Sequence, residues 1–262
     1  MIELYNFAQS TCSLKVRICL AEKDIEWVDR RLVSKNEDHL SAWYLKLNPN
    51  GVVPTLLHDG RVVIESSAIL QYLDEVFPDP PLMPVDPIDR AAVRAWLVFV
   101  DQVPTPAVRY PSFQFGGLRR KFEKMSPEEF AERARRSPLK KAFYDKMADG
   151  GFTDAEIAAA LNDIRKTAQR MDRLLEEHGA WLCGDYSIAD IAVAPLIDRM
   201  EDLGFAHLWE ESQPRVADWL QRIQSRPAYN EAFYEGSRLS QIYPDLGLGR
   251  RARAEARPTA AE

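Results

Sequence analysis

The sequence predicts an α/β domain followed by an all-helical domain. Short strands alternate with helices over residues 1–80, a proline-rich connector follows, and the later segments have helical spacing. The connector region, residues 78–90, contains five of the chain's 17 prolines, and each proline fixes a torsion and lacks an amide donor. We therefore expect domains at 1–80 and 91–243, a linker at 81–90 and a disordered tail at 244–262.

Each segment of the first domain has its own local signal. "IELYNF" and the alternating "IEWVDRRL" predict strands, and "SLKVRICLAEK" between them predicts a helix that is buried around most of its circumference. "NEDHLSAWYLKLNP" predicts a short helix that ends before its proline. "VPTLLHDGRVVIES" predicts two strands joined at Asp59-Gly60, and "SSAILQYLDEVFP" predicts a helix. The expected order is β-α-β, then α, then β-β-α.

The second domain carries clear helix-start signals. Thr153 with Glu156, and Ser187 with Asp190, have the spacing of capping boxes, in which each side chain pairs with the other residue's backbone amide. "DRAAVRAWLVFVDQV" and "QPRVADWLQRIQSRP" have apolar stripes and predict further helices. Residues 112–151 mix charges without clean periodicity, so helix and mobile loop are expected there. The final "GRRARAEARPTAAE" has no apolar stripe, which predicts disorder.

Composition narrows the function classes. The chain has 262 residues, 46% of them hydrophobic, and a net charge of −6, which argues against sequence-blind nucleic-acid binding. No apolar run approaches the roughly 20 residues needed to span a bilayer, so no membrane partner is expected. "MIELYNF" lacks the features of a signal peptide, and three cysteines form neither a disulfide framework nor a zinc motif. We expect a cytoplasmic protein without a metal.

Small polar side chains cluster where the first strand meets the first helix. They are Ser10, Thr11, Cys12 and Ser13. Amides at a helix start are unpaired and the local dipole favours negative charge, so a thiolate placed there has a lowered pKa. A hydroxyl that donates to the thiolate lowers that pKa further. Plain helix capping explains the same residues and stays open as the alternative.

Two further motifs are suited to holding a small polar ligand. In "GVVPTL", a cis Val53-Pro54 bond would present the backbone of Val53 to a ligand, because proline cannot donate to a strand ladder. In "ESSAI", Ser66 is expected to cap a helix whose start faces an anion, while Glu65 could accept an ammonium group. The end of an amino acid, which carries both an NH₃⁺ group and a COO⁻ group, would use both of these contacts. A cap with an acidic neighbour is again the plainer alternative.

Together these motifs resemble cytosolic glutathione transferases over nearly the whole chain. The resemblance rests on "YNFAQSTCSLKVRICLAEK", "LNPNGVVPTLLHDGRVVIESSAILQYLDEVFP" and "GDYSIADIAVAP". It implies a thioredoxin-like first domain that binds glutathione as cosubstrate, an all-helical second domain, and a homodimer. Apolar residues on "AILQYLDEVF" and "AAVRAWLVFV", beyond the needs of one core, also favour the dimer.

The resemblance also implies roles for individual residues. Glu65 and Ser66 would hold the γ-glutamyl end, and the backbone of Val53, before a cis Pro54, would pair with the cysteinyl unit. His39 matches a position that reaches the glycine carboxylate in some members, although a solvent-facing helical histidine explains it equally well, and Asn50 lies beside that path. Ser10 matches the active serine of many members, Ser13 matches that of one bacterial branch, and Thr11 lies between them. Cys12 is a rival to these hydroxyl residues, because an exposed thiol could form a mixed disulfide. The alternative is that Cys12 is only a small buried side chain.

A hydrophobic substrate site is expected between the two domains. Its candidates are Phe7 and Ala8 after the first strand, and Tyr110, Phe113 and Phe115 from the second domain. "VPTPAVRYPSFQFGG" mixes prolines, aromatics and glycines, which suits a shaped wall better than a straight helix. Arg109 could orient an anionic or phenolic group. Ordinary packing between domains is the alternative for the apolar and aromatic candidates, and a plain surface position is the alternative for Arg109.

Within the family, the bacterial β-etherases are the most similar branch. The similarity rests on "SLK", on "HDGRVVIES", on a "PxDPxxR" connector and on the long stretch between the first two helices of the second domain. It implies that a glutathione thiolate cleaves β-aryl ethers of lignin-derived dimers and releases a phenol. A zeta-like isomerase, a dehalogenase, a redox protein acting through Cys12 and a non-catalytic binding protein remain alternatives. The joint presence of Ser10, Pro54, Glu65 and Ser66 argues against the last.

Overall fold

The computed structural model describes residues 1–137 and 140–249. At the start of the chain, four short strands form a mixed sheet. The strands are β1 (Ile2–Asn6), β2 (Trp27–Arg31), β3 (Thr55–His58) and β4 (Arg61–Ile64), in the spatial order β2-β1-β3-β4. β1 pairs in parallel with β2, while β3 is antiparallel to both β1 and β4. A parallel pair of strands requires a crossover connection, and the helix that lies between β1 and β2 in the sequence supplies it.

Three helices accompany the sheet, and they are α1 (Thr11–Glu22), α2 (Ala42–Leu47) and α3 (Ser66–Val76). α1 is buried from Ser13 to Leu20, because it packs on α3 on one side and on second-domain helices on the other. The predicted order of strands and helices is therefore confirmed. In "NEDHLSAWYLKLNP" the structure is less regular than the single predicted helix, since two 3-10 turns, Ser34–Asn36 and Asp38–Leu40, precede α2.

The rest of the described chain is helical. Its helices are α4 (Pro87–Gln102), α5 (Pro104–Ala107), α6 (Arg109–Gln114), α7 (Pro127–Arg136), α8 (Lys141–Ala148), α9 (Asp154–His178), α10 (Ile188–Asp202), α11 (Pro214–Gln224), α12 (Pro227–Ala232) and α13 (Leu239–Ile242). Both predicted capping boxes are present, Thr153 with Glu156 and Ser187 with Asp190. The predicted fold, an α/β domain followed by a helical domain, is confirmed.

One hydrophobic core crosses the junction of the two regions, and a smaller cluster lies apart from it. The main core joins the sheet, α1 and α3 to the centre of α10, which is buried along nearly its whole length. The smaller cluster comprises Phe122, Phe130, Ala134, Tyr144 and Met147. It holds together the 3-10 turn Leu118–Phe122 with α7 and α8. The stretch at 112–151, which lacked clean periodicity in the sequence, therefore has a small hydrophobic cluster of its own.

The predicted disordered tail is only partly described. Pro244–Leu246 forms a 3-10 turn, and Asp245 forms an ion pair with Arg120 at 2.6 Å. Residues 250–262, which carry most of the predicted tail, lie outside the described residues.

Candidate active site

A cavity of about 340 Å³ opens between the first domain and the helical second domain. The first-domain wall consists of Phe7, Gln9, Ser10, Thr11, Cys12, Ser34, His39, Val52, Val53, Pro54, Glu65 and Ser66. The second-domain wall consists of Thr105, Val108, Arg109, Ser112, Phe113, Leu118, Lys121, Phe122, Lys140, Phe143, Tyr144 and Arg199. The first wall is thus mostly polar, and the second combines four aromatic rings with four cations.

Ser10 stands at the start of α1 as its N-cap. Its backbone is extended, with φ −75° and ψ 119°, and its Oγ accepts a hydrogen bond of 3.2 Å from the amide of Ser13. That bond occupies a lone pair of the hydroxyl group, so the O–H remains available as a donor. Capping and donation to a sulfur in the cavity are therefore compatible roles for this one side chain.

The other small polar residues are divided between the cavity and the core. Thr11 and Cys12 line the cavity beside Ser10. Ser13 is completely buried, does not line the cavity, and its Oγ has no hydrogen-bond partner among the described residues. The side chain of Ser13 is therefore buried away from the cavity, whereas Ser10, Thr11 and Cys12 at the helix start line it.

Two buried arginines hold the loop that leads into Ser10. Arg17 donates from Nη2 to the carbonyl of Ala8 at 2.8 Å, and Arg199 of α10 donates to the carbonyl of Gln9 at 2.6 Å. Arg17 also donates to the side chain of Asn6 at 2.9 Å. Ala8, expected to contact substrate, does not line the cavity, and the carbonyl bond instead ties it to α1.

The Val53-Pro54 peptide is cis, as the family resemblance implied, and both residues line the cavity on the same wall as Ser10. The turn before them is held by side chains of the first domain. Tyr44 donates from its hydroxyl to the carbonyl of Val52 at 2.7 Å, and Asn48 donates to the same oxygen at 3.1 Å. The carbonyl oxygen of Val52 thus accepts two hydrogen bonds from within the protein.

Glu65 and Ser66 meet the cavity at the start of α3. Glu65, not Ser66, occupies the N-cap position, and no side chain caps the helix, so the prediction that Ser66 is the cap was wrong. Glu65 has φ 68°, a left-handed conformation that costs a residue with a side chain about 1–3 kcal/mol. Asn50 lies outside the cavity lining and donates to Glu65 Oε1 at 3.2 Å. The site thus holds Glu65 in an uncommon backbone geometry.

His39 is a buried cavity residue and not a solvent-facing helical histidine. Its side chain is 4% exposed and packs edge-on against Phe7, with 5.1 Å between ring centroids. Burial, together with the nearby charges of Lys140 and Lys121, lowers the pKa of His39 to about 3. The imidazole is therefore neutral at neutral pH, and its Nδ1 has no partner among the described residues.

The aromatic wall differs in part from the predicted one. Phe113 lines the cavity and contacts Phe143 edge-on at 4.7 Å. Tyr110 and Phe115 do not line it: Tyr110 packs against Phe152 at 4.3 Å, and Phe115 lies beside Phe205 at 5.6 Å. Sequence spacing did not reveal which of these aromatic residues line the cavity, because α5 and α6 are only four and six residues long, too short for an apolar face to show as a period.

Sequence reasoning missed three of the four cations of this wall, Lys121, Lys140 and Arg199. Lys121 and Lys140 line the cavity together with Arg109, which the sequence had raised as a possible contact for an anionic group. The signal was present as basic residues interleaved with aromatic ones in "LRRKF" and "LKKAF". A charge run is normally a solvated helix face, so the pattern alone did not distinguish these lysines from their neighbours.

Neither a metal site nor a membrane-spanning helix is present among the described residues. Nowhere in residues 1–137 and 140–249 do three His, Cys, Asp or Glu side chains gather as metal ligands. None of the helices described is both long and apolar enough to cross a membrane. Cys12, Cys19 and Cys183 are free thiols, and burial raises the pKa of the Cys19 thiol to about 12.

Comparison with known proteins places the chain among characterised relatives. Residues 9–76 match the glutathione S-transferase N-terminal domain, and residues 154–222 match the glutathione S-transferase C-terminal domain. Protein LigF of Sphingobium sp. (strain NBRC 103272 / SYK-6) is 34% identical over 248 residues, which is 90% of this chain and 95% of that protein. Tetrachloro-p-hydroquinone reductive dehalogenase of Sphingobium chlorophenolicum is 28% identical over 88% of this chain and 95% of that protein.

A solved structure agrees with these sequence matches. The crystal structure of the β-etherase LigF from Sphingobium sp. strain SYK-6 superposes with a TM-score of 0.80 at 32% identity, covering 88% of this chain and 98% of that one. Two family domains in the expected order, a relative matched over nearly its full length, and a cavity where those domains meet lead to one conclusion. The chain belongs to the glutathione S-transferase family.

Proposed function

We propose that this protein uses glutathione to cleave the β-aryl ether bond of lignin-derived aromatic dimers, releasing a phenol. The observation that carries the proposal is the shared cavity, in which a helix start with free hydroxyl donors faces a wall of aromatic rings. The similarity to the crystal structure of a β-etherase, which extends over 98% of that chain, supports this substrate class.

We place glutathione along the first-domain wall of the cavity. Its γ-glutamyl end would meet Ser66 and Glu65, since the start of α3 attracts a carboxylate and Glu65 attracts the ammonium group. Its cysteinyl unit would pair with the backbone of Val53, and its glycine carboxylate would lie towards His39. This placement brings the sulfur to the start of α1, beside Ser10 and Thr11.

The chemistry then follows from the two walls. Ser10, with Thr11 beside it, donates to the sulfur, and the unpaired amides of α1 favour its negative charge, so the thiolate is populated at neutral pH. The thiolate attacks the carbon that bears the aryloxy group, next to a ketone, while the aromatic wall holds the two rings in line. The products are a glutathione thioether and a phenol.

We extend the proposal to the whole protein. The proline-rich segment at 81–90 is proposed as the linker between a glutathione-binding domain and a substrate-binding domain, and the protein is proposed to act as a cytoplasmic homodimer. Three free cysteines fit a reducing compartment.

The test uses a β-aryl ether model ketone whose leaving phenol absorbs visible light. With glutathione present, we expect phenol release and a glutathione–ketone adduct, detected by mass spectrometry, in a one-to-one ratio. S-methylglutathione, which lacks a free thiol, is the control and should give neither product. Release of phenol without an adduct would contradict the proposal, because it would point to hydrolysis.

A reductive dehalogenase is the second candidate, favoured by the match to such an enzyme over 95% of that protein's length. It requires glutathione disulfide to form as the substrate is reduced. Assaying a chlorinated hydroquinone beside the ether ketone separates the two candidates. Chloride release with formation of glutathione disulfide, in the absence of ether cleavage, would favour the dehalogenase.

A further inference from the structure

Three cations from three separate segments converge on the aromatic wall of the cavity. Arg109 comes from α6, Lys121 from the 3-10 turn Leu118–Phe122, and Lys140 from the residue before α8. Arg109 lies over the ring of Phe143 at 5.9 Å, and Lys121 Nζ lies over the ring of Phe122 at 5.0 Å. Because these segments are far apart in the sequence, only packing of the second domain brings the charges together.

These cations have no carboxylate partner within the described part of the chain. The ion pairs among residues 1–137 and 140–249 include none that involves Arg109, Lys121 or Lys140. The nearby Glu37 is already engaged by Arg133 and by Arg136, the latter at 2.7 Å. Arg109 and Lys140 are half-buried and Lys121 is exposed, and three like charges gathered at one cavity repel each other, so the arrangement suits a ligand that brings negative charge.

Both lysines have a lowered proton affinity: desolvation beside the aromatic rings, with the like charge of Arg133, lowers the pKa of Lys121 to about 8. Burial, with the like charges of Arg109 and Lys121, lowers the pKa of Lys140 to about 7, while Cys12 of α1 acts in the opposite direction. His39, on the facing wall, is close enough for Lys140 to depress its pKa as well. A lysine near neutrality can both give and regain a proton at physiological pH, which arginine cannot.

We infer that Lys140 donates the proton to the aryloxide oxygen that leaves during ether cleavage, with Arg109 and Lys121 stabilising the developing negative charge. The inference rests on the ether cleavage proposed above. As the carbon–sulfur bond forms, the carbon–oxygen bond breaks and its electron pair passes to the aryl oxygen. That oxygen takes a proton from the Lys140 ammonium and leaves as a phenol, and the amine regains a proton from water.

The glycine carboxylate of glutathione is a second source of the same negative charge. Lys140 faces His39, towards which we place that carboxylate, so the cations could serve glutathione instead. The aromatic surroundings favour the electrophile, because Phe113, Phe122 and Phe143 make a ring-binding surface on the cations' side of the cavity. The experiments below separate the two sources.

The first experiment varies the leaving phenol in the Lys140→Met variant. For ethers of weakly acidic phenols we expect kcat to fall about 10²-fold, whereas ethers of nitrophenols, and a chlorinated aromatic that releases chloride, lose little. A plot of log kcat against phenol pKa should therefore become steeper. Parallel plots for the variant and the wild type would overturn the inference, and so would a raised KM for glutathione with unchanged kcat.

The matched control is Lys141→Met, one residue along the chain. Lys141 is exposed, forms an ion pair with Asp145 at 2.7 Å and does not line the cavity. Its plot should coincide with that of the wild type. Circular dichroism of both variants checks that the helical content is unchanged.

The second experiment does not depend on ether cleavage. 4-Nitrophenol is titrated by its visible absorbance in the presence of the protein and saturating S-methylglutathione. We expect the apparent pKa of bound 4-nitrophenol to fall with the wild type and to fall by less with Lys140→Met, which retains Arg109 and Lys121. If the wild type lowers this pKa but cleaves no ether, the anion site stands and the proposed function fails. If S-methylglutathione abolishes the shift seen without it, the cations belong to glutathione and the inference is overturned.

Discussion

The hydroxyl group of Ser10 can serve the helix and a thiolate at the same time. Its oxygen accepts the amide of Ser13 at 3.2 Å, and its hydrogen stays free to donate into the cavity. From the sequence, capping and thiolate binding were competing explanations. The geometry makes them complementary, because the cap fixes where the hydroxyl group points and the helix start supplies the favourable field.

At this residue scale we predict that Ser10→Ala raises the pKa of bound glutathione. A hydrogen bond to a charged group contributes about 1.5–3 kcal/mol, so the pKa of the thiol should rise by about 1 to 2 pH units. Loss of the cap should also lower the free energy of unfolding by about 1 kcal/mol. The measurement is a titration of thiolate absorbance with glutathione bound.

Ser13→Ala is the matched control for that titration, since Ser13 is buried and lies away from the cavity. It should leave the pKa of bound glutathione unchanged. If the pKa of bound glutathione does not shift in Ser10→Ala, the thiolate is stabilised by Thr11 or by the helix amides alone.

At the element scale, the start of α10 is anchored by more contacts than its capping box alone. The capping box of Ser187 and Asp190 was evident from sequence, but two further contacts were not. Asp190 also accepts the amide of Leu182 at 3.1 Å and the indole N–H of Trp219 at 2.8 Å. A local capping motif therefore doubles as a buried tie between α10, the preceding loop and α11.

We predict that Asp190→Ala lowers the free energy of unfolding by about 3 kcal/mol or more, because it leaves three buried donors without an acceptor. Chemical denaturation measures the loss. The control is Glu156→Ala, which removes the same position of a capping box at the exposed start of α9. It should cost about 1 kcal/mol. Equal losses in the two variants would mean that the tertiary contacts of Asp190 contribute little.

At the scale of the whole molecule, the outer faces of α3 and α4 leave apolar side chains in solvent. Val76 on α3 and Val98 on α4 are 41% and 54% exposed, and Ile88 is more exposed still. The sequence suggested that these helices carry more apolar surface than one core requires. A second copy of the chain would cover it, which is the homodimer proposed above.

We predict a dimer at micromolar concentration in sedimentation velocity, and a shift towards monomer in Val98→Glu, because the substitution places a charge in an apolar interface. Val85→Glu is the control, since Val85 lies in the proline-rich connector, outside both helices. Its sedimentation should match the wild type. A wild-type monomer would remove the proposal of a homodimer.

The sequence by itself determined the features that short-range physics controls. Periodicity, the Asp59-Gly60 turn, the proline-rich connector and the two capping boxes depend on residues a few positions apart, and the fold class followed from them. The motifs at Ser10, Val53-Pro54 and Glu65-Ser66 could be identified from the sequence for the same reason. The residues of all three motifs line one cavity.

Only the tertiary structure decided which side chains face that cavity. It buried Ser13, turned Tyr110 and Phe115 away, and made His39 a buried residue. It also assembled Arg109, Lys121 and Lys140 into one charged wall. The physical reason is that side-chain direction on short, irregular turns, and the meeting of distant segments, are set by packing across the whole molecule, on which local sequence patterns carry no information.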